Sequence, residues 1–191
     1  MHETKSRLLA AGTDMLLERG YGGLSLQELL DRTGIPKGSF YHHFASKEDM
    51  ALQAVARYTT LGHTLLDTCL ALPDRSPLDR LRLFFEQLSE FYASQGYLGC
   101  LLGALGQELS GVSEPFRRTI EECLASLAAR IGDCLEEARA AGDLPAGTDC
   151  SALADILLNA WEGAALRSRL LRSPAPLQAA VEFCFQGAAM R

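Results

Sequence analysis

The stretch Leu24–Met50, LSLQELLDRTGIPKGSFYHHFASKEDM, restricts the fold of this chain more tightly than any other part of it. Ser25 followed three residues later by Glu28 has the form of a capping box, and Leu24 with Leu29 occupies the positions of a hydrophobic staple. A helix is therefore expected to begin at Leu26. Leu26, Leu29 and Leu30 make a short apolar stripe that Thr33-Gly34 ends, and Ile35-Pro36 restarts the chain in a new direction, because proline suits a first helical turn and cannot continue an old one. The next helix is predicted from Lys37 to about Phe44. Two short helices broken by a glycine-containing turn, then the capped start of a longer helix, are the layout of a helix-turn-helix.

On the second of these helices Phe40 and Phe44 are four residues apart and share a face, which can pack on the preceding leucines. The opposite side carries Gly38, Ser39 and His42, with Tyr41 and His43 on its flanks and Lys37 at its mouth. Glycine lets a backbone approach closely, hydroxyls and imidazoles reach phosphates or base edges, and lysine neutralises phosphate, so these are the groups a helix needs to enter a major groove. A polar, solvent-facing helix in any α-helical bundle would carry the same pattern.

IPKGSFYHHFASKEDM resembles the N-terminal DNA-binding domain of the TetR/AcrR family of bacterial transcriptional regulators. The family's most specific signature is a turn, then Lys-Gly-x-aromatic-Tyr-x-His-Phe, then Ser/Thr/Asn-Lys-Glu. The likeness extends upstream through LLAAGTDMLLERGYGGLSLQELLDRTGI. It implies that Ser25, Pro36, Lys37, Gly38, Ser39, Tyr41, His42 and Lys47 contact double-stranded DNA, and that Phe40 and Phe44 belong to the core. It also implies an all-α chain of about nine helices, in which a three-helix helix-turn-helix domain (residues 1–46) is joined by a continuous helix to a helical effector-binding and dimerisation domain (residues 47–191).

Composition narrows the remaining possibilities. At 191 residues and 48% hydrophobic, the chain can bury one substantial core, or one small and one medium core. A formal net charge of -6 argues against a protein that coats nucleic acid or anionic membrane indiscriminately. Residues 1–50 carry 6 Lys/Arg against 7 Asp/Glu, so DNA affinity must come from where Lys5, Arg7, Lys37 and Lys47 point, and binding should weaken steeply with salt. The N-terminal MHETKSRLLAAG interrupts its apolar pattern with charges, and the longest uncharged run, Phe91–Gln107, falls short of the ~20 apolar residues of a membrane helix. A cytoplasmic protein without a membrane partner is expected. The six cysteines (69, 100, 123, 134, 150 and 184) have no short regular spacing, so reduced thiols and no metal or cofactor are expected.

Helical periodicity continues through the chain: residues 4–19, Ser46 to about Leu72, Pro77 to about Ser94, Glu114 to about Ala141, Asp149 to Arg172 and Pro176 to about Met190. Leu81, Phe84, Phe85, Leu88 and Phe91 recur at helical spacing, as plain core or as the wall of a cavity. Gly96–Ser110, GYLGCLLGALGQELS, reads as an apolar helix in which each interior glycine costs about 1 kcal/mol relative to alanine. Close helix contact, or room for a ligand beside the backbone, are the two physical reasons to accept that cost.

This segment resembles the G-C-L-x-G…E element of a branch of the same family that includes the N-ethylmaleimide reductase repressor and acrylate-responsive repressors. The resemblance places Cys100 where a cysteine of the former senses electrophiles or oxidants. A small buried thiol is the alternative. Cys100, Phe84, Leu88, Tyr92, Leu105 and Trp161 are the candidate effector-sensing residues. The family pairs its last two helices with those of a second subunit, which assigns Leu153, Leu157, Trp161, Ala164, Val181 and Phe185 to dimerisation. A core within one chain would have the same composition.

The expected function is that of a homodimeric transcriptional regulator, a repressor, which binds a palindromic operator and is released by a small-molecule or electrophile effector. An architectural DNA-binding protein without an effector is the alternative. An all-α thiol-dependent enzyme has less support, and no catalytic residue is assigned. His42 and His43 are adjacent and diverge on a helix, and no nucleophile-elbow or phosphate-loop pattern is present.

Overall fold

The computed structural model describes residues 2–186. Ala188 and Met190, expected in the last helix, lie outside the described residues. Those described form α1 (His2–Arg19), α2 (Leu26–Thr33), α3 (Lys37–His43), α4 (Lys47–Leu70), α5 (Pro77–Ser94), α6 (Leu101–Leu109), α7 (Glu114–Ala141), α8 (Cys150–Leu171) and α9 (Ala175–Gln186), with no strand among them. None of these helices is long and apolar enough to cross a membrane.

The chain divides into two compact units. The first takes the residues up to Leu61 together with Leu101–Cys123. The second takes Gly62–Cys100 and the chain from Leu124 onward.

In the first unit Leu8, Met15, Leu16, Leu29, Phe40 and Met50 are wholly buried. A Cβ on Gly12 would stand 2.7 Å from the Met50 sulfur, so this glycine in α1 gives α4's first turn its place in the core. Helix α2 begins at Leu26 as its cap predicts, with Ser25 Oγ accepting from the Glu28 amide at 3.4 Å. The other half of the capping box is not made. Glu28 instead receives Arg19 at 2.8 Å and Arg32 at 3.4 Å, because two cations within reach attract the carboxylate more strongly than one amide does. Gly34 closes α2 in the left-handed conformation, φ 65°, and Pro36 precedes α3 in an extended one.

The second unit is organised by aromatic side chains on α5, α8 and α9. Phe85 lies 5.1 Å from Trp161 and 6.0 Å from Phe185 between ring centroids, and Tyr92 lies 5.8 Å from Trp161. Ser76 caps α5 and Asp149 caps α8, each accepting the amide three residues on.

Two expectations need revision. Tyr92, not Phe91, turns inward from α5. The glycine-rich segment is not helical from Gly96: Gly96, Tyr97 and Gly99 all adopt positive φ, and α6 starts only at Leu101. Gly96 and Gly99 are therefore turn residues rather than costs inside a helix.

Candidate nucleic-acid interface

Helix α3 owes its position to two phenylalanines. Phe40 and Phe44 are almost completely buried, with ring centroids 5.2 Å apart, and Phe40 also meets the Tyr41 ring edge-on at 5.3 Å. Anchoring one face in this way turns the other face outward. Lys37, Gly38, Tyr41 and His42 are exposed and Ser39 is half-exposed, while Ser25 and Pro36 stand exposed at the starts of α2 and α3. Half of the Tyr41 side chain, 52%, is open to solvent. No atom lies within 4 Å of where a Gly38 Cβ would be, so the space beside this backbone is open. An open cleft runs beside this surface, lined by Gln27, Leu30, Asp31, Gly34, Ile35, Pro36 and Lys37.

The four basic residues expected to supply DNA affinity, Lys5, Arg7, Lys37 and Lys47, fall into two groups. Arg7 donates to the Thr33 carbonyl at 2.6 Å and so ties α1 to the end of α2. Lys47 donates to the carbonyls of Tyr21 and Leu24 at 3.2 and 3.1 Å, with its ammonium 4.2 Å from the centre of the Tyr21 ring. Two of its three N–H donors are thereby occupied, leaving one for a phosphate. Lys5 stands over the Phe44 ring at 5.7 Å, and Lys37 extends into solvent at the mouth of α3. Burial, His42 and Lys5 lower the His43 pKa from the ordinary histidine value.

The candidate sensing residues do not share one unit. Phe84, Leu88, Tyr92, Cys100 and Trp161 belong to the second unit, whereas Leu105 is wholly buried in the first. Phe84, Tyr92 and Trp161 are buried, Leu88 half-buried. The Cys100 thiol is 8% exposed and hydrogen-bonds the carboxyl of Glu162 on α8. Burial pushes the Glu162 carboxyl above the ordinary range, and the thiol offsets only part of that rise. Arg169 donates to the Leu98 carbonyl at 3.0 Å, so α8 also brings a cation to the segment that leads into Cys100. The sequence reading missed both Glu162 and Arg169. The one signal available was an acid directly after the only tryptophan, the sole charge between Ile156 and Leu166.

A separate polar cluster joins α4 to α7 inside the second unit. Arg130 pairs with Asp67 and lies 3.3 Å from His63 Nδ1, while His63 Nε2 lies 3.1 Å from Ser126 Oγ. Arginine can only donate, so Nδ1 accepts and Nε2 carries the proton. Burial and Arg130 both lower the His63 pKa.

The residues assigned to dimerisation pack mostly inside one chain. Leu157, Trp161, Ala164, Val181 and Phe185 are buried within the second unit, and Leu153 is half-buried. The apolar side chains that α8 and α9 leave in solvent are others, Ile156, Leu166, Leu170, Leu171 and Phe183, with Phe183 the most open at 83% exposure. Helical periodicity identifies an apolar helix but not which of its two apolar faces stays within the chain. No group of three or more His, Cys, Asp or Glu side chains among the described residues is placed to hold a metal ion.

Comparison with known proteins adds relationship to geometry. Residues 8–54 match the family described as bacterial regulatory proteins of the tetR family, and residues 77–184 match the tetracyclin repressor-like C-terminal domain. The transcriptional regulator AcuR of Cereibacter sphaeroides is 39% identical over 171 residues, covering 89% of this chain and 78% of that protein. The HTH-type transcriptional repressor NemR of Escherichia coli strain K12 is 32% identical over 181 residues, covering 94% and 91%. Among solved structures, the regulatory protein TetR from Rhodobacter sphaeroides superposes with a TM-score of 0.90 at 37% identity, covering 95% of this chain and 96% of that one. Escherichia coli NemR in its reduced form gives 0.88 at 31%, covering 97% and 96%.

Proposed function

Because this chain belongs to the TetR family of bacterial regulatory proteins, we propose that it is a homodimeric transcriptional repressor that binds a palindromic DNA operator through α3 and is released by a small-molecule or electrophile effector. The observation that carries this reading is the polarity of α3 itself, with Phe40 and Phe44 buried and Lys37, Gly38, Tyr41 and His42 facing out. Two such helices related by a two-fold axis would meet successive major grooves about 34–36 Å apart. Lys37 supplies charge to a phosphate, Gly38 admits the backbone, and Tyr41, Ser39 and His42 offer hydrogen bonds to phosphates and base edges. Ser25, Pro36 and the remaining donor of Lys47 complete the contact surface.

The exposed Ile156, Leu170 and Phe183 supply an apolar surface for a second copy, backed by the buried Leu157, Trp161 and Phe185. The cytoplasm, where DNA is found, is the compartment this activity requires.

Release is assigned to the second unit, where Cys100 meets the Glu162 carboxyl. The relatives include a repressor whose structure is described as its reduced form, which supports a thiol-dependent reading. Alkylation of Cys100, or an effector held beside Phe84, Leu88, Tyr92 and Trp161, lowers DNA affinity by the difference in its free energy between the bound and released conformers. An enzyme reading has no comparable support.

Wild-type chain is used to select duplexes from a random-sequence pool, and binding is then measured before and after treatment with N-ethylmaleimide. The selected duplexes are expected to share a two-fold-symmetric sequence, and the alkylated protein to release them. Cys100→Ser should bind as tightly and stay bound after treatment. Equal release of both proteins would make Cys100 a packing residue.

A further inference from the structure

The loop between α1 and α2 is held from two sides, entirely within the first unit. From α6, the Glu108 carboxylate accepts two consecutive amides: Tyr21 N–H donates to Oε2 at 2.8 Å and Gly22 N–H to Oε1 at 2.7 Å. From the first turn of α4, Lys47 donates to the Tyr21 and Leu24 carbonyls. Phe116, near the start of α7, meets the Tyr21 ring at 5.2 Å.

The loop sequence fits this carboxylate closely. Gly20 has φ +72°, and a Cβ there would stand 2.4 Å from Glu108 Oε2; one on Gly22 would stand 3.3 Å from Oε1. Both amides belong to a non-helical turn and have no helical acceptor, so each needs one from elsewhere in the fold. A carboxylate offers an acceptor to each and makes both bonds charge-assisted, whereas an amide side chain would satisfy one N–H and turn its own NH2 toward the other. The loop runs straight into Ser25, which caps α2, and only the Gly34–Pro36 turn separates α2 from α3.

We infer that Glu108 is a positioning residue for DNA recognition: by fixing the Tyr21–Gly22 loop to α6, it sets how α2 and α3 meet the duplex. This rests on the DNA-binding function proposed above. Glu108 lies two helical turns beyond Leu101, which Cys100 directly precedes, so the chain that leads out of the sensing segment ends at this tie.

The test compares full-length wild type, Glu108→Gln and Glu108→Ala on a duplex that wild type has selected from a random pool and on a scrambled duplex of equal length. Amide hydrogen exchange is followed on the free proteins. Losing a negative charge should by itself strengthen binding to any duplex. Positioning predicts the opposite sign on the selected one: affinity about tenfold lower or worse in both variants, with scrambled-duplex binding unchanged or tighter. Exchange should accelerate at Tyr21 and Gly22, with α1 and α4 still protected. Should the alanine variant fail to fold, the nearly isosteric glutamine variant decides alone.

Unchanged affinity for the selected duplex, whatever the loop amides do, overturns the inference. So does accelerated exchange spread through α1–α4, which would make Glu108 a general stabiliser. A wild type that selects no duplex rejects the DNA-binding reading itself, an outcome distinct from a variant that binds as wild type does.

Discussion

Helix α3 and the aromatic core of the second unit both rest on buried rings, yet they use burial for opposite ends. In α3, Phe40 and Phe44 are buried so that Lys37, Gly38, Tyr41 and His42 can face away from the protein. Around Trp161, Phe85, Tyr92 and Phe185 are buried, and so is Cys100, whose thiol hydrogen-bonds the carboxyl of the half-buried Glu162. The first arrangement leaves polar side chains open to solvent. The second withdraws a thiol from water.

The largest expected effect comes from removing the anchor of the first arrangement. Phe40→Ala should cost the first unit about 3–5 kcal/mol and abolish DNA binding through loss of fold, as seen by denaturant titration. If the variant kept its stability, α3 would not be held by that ring. Next, Ser25→Ala removes the cap of α2 and should cost about 1 kcal/mol by the same titration, with an equal midpoint showing that the 3.4 Å contact contributes nothing.

The smallest effect tests the other arrangement and appears only as a pH dependence. Burial raises the Glu162 carboxyl pKa in the folded chain, so the folded state holds its proton more tightly than the unfolded state does. The wild type therefore loses stability as pH rises from the ordinary carboxyl range through the raised value. Glu162→Gln has no charge to bury and should lose less as pH rises above the ordinary carboxyl range. Parallel pH profiles for the two proteins would put the carboxyl in water and remove the contrast between the regions.

How far each region could be read from sequence follows from the range of its interactions. Ser25, Gly34, Pro36 and the Phe40–Phe44 pair act through neighbours at most a few positions away, and each left its mark in the order of residues. The all-α architecture was legible for the same reason, since helical periodicity and starts such as Pro77 are local. The tie from Glu108 to Tyr21 and Gly22 spans more than eighty residues, and the Cys100–Glu162 pair about sixty, so neither leaves a periodic trace. The break before α6 was missed for a different reason. Gly96-Tyr97-Leu98-Gly99 has helical apolar spacing, but its positive φ angles come from the backbone, which periodicity does not report.

On the function proposed above, the outward face of α3 reads DNA while its inward face holds the fold. Binding of the wild-type-selected duplex by Lys37→Ala and Tyr41→Ala, measured across a range of salt concentrations beside thermal melts of the same samples, tests it directly. Melts that match wild type are expected, with affinities lower by about tenfold or more and the salt slope of Lys37→Ala reduced by about 1. Wild-type affinity in both variants, or a loss of binding that only follows a loss of melting temperature, would contradict it.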